Sequence, residues 1–257
     1  MTKQSRIIVQ ITAVALFFVF WKAYVSGLNV SSLVLPPPEH VFTALVNLFV
    51  SGEVWYHLYI TLLECVGGFA IAVVVGVTTG MALGRSETLD VVFKPFVIAL
   101  QVTPKVALIP LFIIWFGFGL ESKIIVSAVL AFFPVFSNTY LGARSVDRGL
   151  VELFEVGNAS RSRRFTKLIL PSSMPYILTG MEMAIVLAII GAVVAEFMAG
   201  SRGLGYLALI KQQQLQVDGL FAVVIVLALI GFVLYFVVGS LRKFLIPWHE
   251  SANRQAI

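Results

Sequence analysis

The sequence predicts an all-α, polytopic membrane protein with six transmembrane helices and both termini on the cytoplasmic side. Three observations predict it. Of 257 residues, 59% are hydrophobic and only 12% charged, whereas a soluble domain carries about a quarter charged residues, so lipid must be part of the solvent. Six apolar runs are long enough to cross a bilayer as helices, the form in which each backbone amide is satisfied within its own segment. Threaded with the N-terminus inside, the chain places thirteen Lys and Arg in cytoplasmic segments and five outside, the bias that sets orientation. The inside set is Lys3, Arg6, Arg85, Lys94, the six between Arg144 and Lys167, and Arg242, Lys243 and Arg254; the outside set is Lys22, Lys105, Lys123, Arg202 and Lys211. The net charge of +5 is thereby explained without a nucleic-acid partner.

The first span is Ile7–Tyr24. Basic residues before an apolar run also describe a signal peptide, but no small-x-small cleavage site follows, and Trp21 with Lys22 reads as an interfacial anchor, so a retained helix is expected. Leu35–Pro36–Pro37–Pro38 ends helical structure. The ten apolar residues Val41–Val50, too short to cross, are expected to lie along the outer surface.

The second span, Tyr56–Leu83, carries small residues at four-residue spacing: Gly68, Ala72, Gly76, Gly80 and Gly84. They form one slowly winding face on which another helix can approach closely, either within one subunit or between two. Cys65 is the only cysteine; it excludes an intramolecular disulfide and reads as a packing residue. The third span, Val91–Ile114, is interrupted by Lys94, Pro95, Gln101, Pro104, Lys105 and Pro110, a composition tolerated where non-ideal helix is shielded by protein or lines a cavity. The remaining spans are Ile124–Tyr140, Ile177–Ala199 and Leu220–Leu241.

Three acids fall inside spans, where an ionisable group is costly and faces a cavity or a partner. Glu64 and Glu196 belong to the outer half, about 12 Å and about 6 Å below the outer ends of their helices; Glu182 lies nearer the middle. They either line the translocation pathway or pair with Lys, Arg or backbone groups that hold helices in register. No phosphate-binding G-x-x-x-x-G-K-[ST] loop occurs, and the three histidines form no metal or nucleophile motif, so neither nucleotide hydrolysis nor other enzymatic chemistry is expected of this chain, nor any cofactor or metal.

The segment from Asp147 to Pro171 is the one long polar interruption between late spans. Asp147 is placed to cap a short helix whose apolar side is Leu150, Val151, Leu153, Phe154 and Val156 and whose polar side is Glu152 and Glu155. Gly157–Asn158 stops it, because these residues most readily take the left-handed conformation. Ser160 caps a second helix bearing Arg161, Arg163, Arg164 and Lys167, which Leu170–Pro171 is expected to end. Topogenic charge and headgroup contact account for the basic residues in part. They do not account for the acidic-apolar helix, too short to be stable without a surface to pack on.

Glu152, Asn158, Leu168, Leu170 and Pro171 are spaced as in the EAA loop of permease subunits of ATP-binding-cassette importers, which the segment resembles. It departs at Leu153 and Phe154, where two alanines are usual, and at Asn158, where glycine is usual. The similarity to the nitrate/sulfonate/taurine branch runs on through Leu35–Pro38, Pro104–Leu111, Trp115–Gly119, Ser122–Lys123, Phe132–Pro134, Asn138–Thr139, Gly191–Glu196 and Arg202–Tyr206, in order.

The resemblance implies a type I importer permease fold over one domain, 1–257, with its core at 56–245 and a coupling loop at 144–175. Residues Glu152, Leu153, Phe154, Gly157, Asn158, Ala159, Leu170 and Pro171 would engage the partner. It implies a bacterial inner-membrane location, a second permease copy in a two-fold dimer, cytoplasmic ATPase subunits that bind the ATP, and an external solute-binding protein. Candidate solutes are a sulfonate, taurine or nitrate-like anion, an aromatic acid, or a vitamin-related heterocycle such as a thiamin pyrimidine precursor or riboflavin. An acid at Glu64 would repel an anion unless paired, which favours a neutral, zwitterionic or heterocyclic solute. The alternative is an ATP-independent carrier or channel, which predicts an internal hydropathy repeat and ionisable groups across the midplane.

Overall fold

The computed structural model describes residues 3–249. Arg254, counted above among the cytoplasmic charges, lies outside them. The elements are α1 (Lys3–Gly27), α2 (Pro38–Val50), α3 (Glu53–Arg85), α4 (Glu87–Val102), a 3-10 turn (Lys105–Leu108), α5 (Ile109–Phe116), α6 (Leu120–Arg144), α7 (Arg148–Val156), α8 (Arg161–Arg164), a π turn (Phe165–Ile169), α9 (Leu170–Ala199), α10 (Leu204–Gln213) and α11 (Val217–Leu245). No strand occurs among the described residues.

Five helices are long and apolar enough to cross a membrane, and α4 with the segment Lys105–Phe116 makes a pair bent by 87° that counts as a sixth if it is one span. The packing of α3 on α6 requires that sixth crossing. The small-residue ladder of α3 lies against α6 of the same chain: Gly68 meets Ser127, Gly76 meets Val135, Gly80 meets Thr139 and Gly84 meets Ala143. Each partner is 59 positions further on, so the two helices run parallel. Since both descend in the same direction, the chain between them must return across the bilayer. A side-chain carbon at Gly80 would stand 2.7 Å from the Phe136 carbonyl oxygen, and one at Gly84 would stand 2.7 Å from the Ala143 side chain. The backbones are too close for anything larger than glycine.

The bend in the third span follows from its prolines. Thr103, preceding Pro104, takes φ −65° and ψ 130° and closes α4, because the proline ring disfavours the helical region for the residue before it. Pro110 sits in the first turn of α5, where its missing N–H costs nothing. The expectation that the proline run at 36–38 only ends helical structure is corrected for the same reason: Pro38 opens α2.

Helix α9 packs antiparallel on α6, with Gly180 on Pro134 and Gly191 on Ser127, and Ser127 Oγ donates to the Ala188 carbonyl at 2.9 Å. The core is stacked along the membrane normal. Cys65, Ala131, Ile185, Ala188 and Val238 fill the middle; Leu48, Val54, Leu204, Leu207 and Val223 join α2, α10 and α11 at the outer end; Met81, Ala143, Ile169 and Ile177 fill the inner end. Helix α1 stands apart, its Ile8–Phe20 stretch exposed, and is tied near its end by Lys22 to Glu39 at 3.2 Å and by Trp21 against the Phe221 ring.

Candidate functional site

The outer end of the molecule is closed by a polar clasp around the start of α10. Thr61 Oγ1 donates to Glu196 Oε1 at 2.6 Å and accepts from the Leu204 amide at 2.8 Å. Glu196 Oε2 accepts from the Gly205 amide at 2.6 Å. A carboxylate is favoured there because the first amides of a helix are unsatisfied and carry its positive end. His57 Nδ1 lies 3.1 Å from the Gly203 amide and 3.0 Å from its carbonyl, so the ring tautomer decides which it engages. Gly203 has φ +100°, and any side chain there would strike the Glu196 carboxylate. The histidine was invisible as a functional residue in the sequence; its one signal was a polar residue near the outer start of a span.

Glu64 stands beside this clasp. Its side chain is 0% exposed and its Oε1 is 3.9 Å from Lys123 Nζ, itself 5% exposed. The ammonium also reaches the Phe118 and Gly119 carbonyls at 3.3 Å each. Glu64, Lys123 and Glu196 therefore join α3, α6 and α9 at one level, with two carboxylates to one ammonium.

Glu182 belongs to a different place. Arg242 Nε donates to its Oε1 at 3.0 Å, and Arg242 Nη2 donates to Thr179 Oγ1 at 3.0 Å, which pins α11 to α9. A third polar tie, absent from the sequence reading, closes the inner end of α4: Asp90 accepts from Tyr140 and from Arg144 at 2.7 Å each. The three span acids thus divide, two into an outer cluster and one into a pin between helices. Between α4 and α6 a cavity of about 260 Å³ is lined by Asp90, Lys94, Gln101, Ser137 and Tyr140. Lys105 Nζ sits 4.3 Å from the centre of the Phe133 ring nearby.

The inner end carries the α7–α8 unit. Asp147 Oδ1 accepts from the Leu150 amide at 3.2 Å and Ser160 Oγ from the Arg163 amide at 3.3 Å, so both N-caps form as the sequence indicates. The left-handed residue between them is Asn158, φ +49°, while Gly157 stays at φ −74°. Arg164 pairs with Glu155 across the turn. Neither α7 nor α8 contains a buried residue; Leu153 is 64% exposed and Val156 83%. Glu152, beside them, lines a shallow cleft with Arg85, Glu87 and Arg148.

One expectation for this unit is overturned. Leu170–Pro171 does not end the second helix. The chain continues through the π turn into α9, the Leu170 amide bonding to the Phe165 carbonyl five residues back. The wider turn lets Pro171, which has no N–H, fall in the first turn of α9 where none is needed.

Residues 72–249 match the family described as the inner membrane component of binding-protein-dependent transport systems. Among curated proteins, the chain is 35% identical to the riboflavin transport system permease protein of Chloroflexus aurantiacus, over 92% of this chain and 88% of that one. It is 34% identical to the formylaminopyrimidine transport permease protein of Halalkalibacterium halodurans, over 84% and 86%. It is 32% identical to the taurine transport system permease protein of Escherichia coli, over 93% and 88%. These relatives are transport permeases, not enzymes.

Proposed function

The chain belongs to the family of inner-membrane components of binding-protein-dependent transport systems, and from that premise we propose that two copies form the translocation pathway of an ATP-binding-cassette importer driven through α7 and α8. The observation that carries the proposal is the α7–α8 unit itself. It is capped at both N-termini and turned by Asn158, yet none of its residues is fully buried, and while Val151 and Phe154 are half-buried, Leu150, Leu153 and Val156 face solvent. A nine-residue helix with an open apolar face gains its stability from a surface supplied by another subunit. An ATPase subunit is the partner the family calls for. Glu152, Leu153, Phe154, Gly157, Asn158 and Ala159 form the contact, and Leu170 and Pro171 join it to α9.

Alternating access follows if ATP binds the closed ATPase dimer better than the open one. The differential affinity shifts the permease population, and the docked unit only carries the motion. The pathway wall is α4 with the Lys105–Phe116 segment, whose Lys94 and Gln101 line the cavity facing α6.

For the solute we infer a small polar organic molecule, anionic or heterocyclic. The three relatives act on a flavin, a pyrimidine and a sulfonate by name, and their near-equal identities select none of them. The argument from Glu64 against an anion loses its force, because that carboxylate faces Lys123 inside the bundle and adds little field to the pathway.

Reconstitution tests the reading. Vesicles holding the permease, its ATPase and its binding protein should accumulate solute only with ATP, and Leu153→Asp should abolish both uptake and co-elution of the ATPase. Uphill uptake by the permease alone would establish a secondary carrier instead. Ligand screening of the binding protein then identifies the solute.

A further inference from the structure

A cavity of about 570 Å³ opens between the cytoplasmic end of α3 and the π turn that leads into α9. Three guanidinium groups, Arg85, Arg161 and Arg164, stand at its rim, and Val77, Met81 and Leu170 line its floor. Among the described residues, the one carboxylate in an ion pair with these arginines is Glu155, on Arg164, so the rim keeps a net excess of positive charge. Arg85 is the last residue of α3, and Val77, eight residues earlier, lies about 12 Å deeper into the hydrocarbon. The site therefore has a cationic mouth at headgroup level and an apolar slot running down from it.

We propose that this cavity binds an anionic phospholipid, its phosphodiester held by Arg85 and Arg161 and an acyl chain laid along Val77, Met81 and Leu170. Guanidinium forks match phosphate oxygens geometrically, and basic pockets beside transmembrane helices at the cytoplasmic surface suit such headgroups. A free phosphate would gain nothing from the apolar slot. An acidic surface of a soluble subunit could meet the rim but could not reach down the slot. The proposal rests on the orientation drawn from the distribution of Lys and Arg, and on neither the solute nor the ATPase contact proposed above.

Native mass spectrometry of the full-length permease, offered equal amounts of phosphatidylglycerol and phosphatidylcholine, tests it. The wild type should retain phosphatidylglycerol in preference. The double variant Arg85→Gln/Arg161→Gln should lose that retention by about tenfold, Arg85→Lys/Arg161→Lys should recover part of it, and Lys243→Gln, another exposed interfacial cation, should leave it unchanged. Equal retention of the two lipids, or no loss in the double variant, overturns the proposal. So does displacement of the lipid by glycerol phosphate, which would make the site one for free anions, or by the ATPase subunit, which would make the rim a protein contact. Matching thermal unfolding profiles for the variants separate lost binding from lost fold.

Discussion

The molecule begins two short helices in the same way and uses them oppositely. At the outer end, α10 starts from amides gripped by Glu196 and Thr61, and its Leu204 and Leu207 are buried. At the inner end, α7 starts from amides capped by Asp147, yet its Leu153 and Val156 face solvent. A cap fixes where a helix begins; burial decides whether the helix serves the fold or something beyond it. The outer helix is held by the chain's own groups, whereas the inner helix keeps Leu153 and Val156 exposed, as the proposed docking on a partner requires.

The sharpest way to break this contrast is to cut each helix loose. Glu196→Ala leaves the Thr61 hydroxyl and the Gly205 amide without their buried acceptor and should cost about 1 to 3 kcal/mol for each, read as a large fall in the thermal unfolding midpoint in detergent. Leu153→Asp should change that midpoint by no more than about 0.5 kcal/mol equivalent while abolishing uptake. If the two exchange roles, the assignment of inner and outer helices fails. Glu152→Lys and Asn158→Pro should likewise stop transport with insertion intact, the proline because its φ near −65° cannot reach the +49° at that position.

A smaller effect sharpens the frame between the two ends. Gly76→Val forces a side chain onto Val135, already 2.9 Å from where its first carbon would lie, and should destabilise by about 1 to 3 kcal/mol, with faster hydrogen exchange in both α3 and α6. Loss in α3 alone would refute their zippered packing. Smaller again, Asp147→Ala and Ser160→Ala should each remove about 1 kcal/mol, confined to exchange rates in α7 and α8. The least is Asn158→Gly, expected within a few tenths of a kcal/mol of neutral, since glycine takes the same left-handed conformation without strain.

What could be read in advance divides along physical lines. The spans, the two caps and the stop at Asn158 are local: apolar run length and the side chain of one residue fix each. The third span was recognisable as irregular from Pro104 and Pro110, but the size of its bend depends on the bundle that α5 leans on. Pairings between distant helices, Glu64 with Lys123 and Glu182 with Arg242, carry no local signal, because an isolated acid does not name the cation 60 residues away. The same limit hid His57. The continuation through Pro171 was misread because a proline after an apolar pair usually marks an end, and only the widened turn before it makes it a beginning.

The constant register between α3 and α6 has a mechanical consequence. Two parallel rods meshed tooth by tooth over their length cannot slide or flex separately, so together they behave as one stiff oar. Its handle is the short link Ser145–Asp147 to α7, and its blade is the level of Glu64 and Lys123, about 30 Å away at 1.5 Å per residue. A tug of a few ångströms on the handle must then reappear at the blade with little lost on the way, whichever point along the shaft serves as the rowlock.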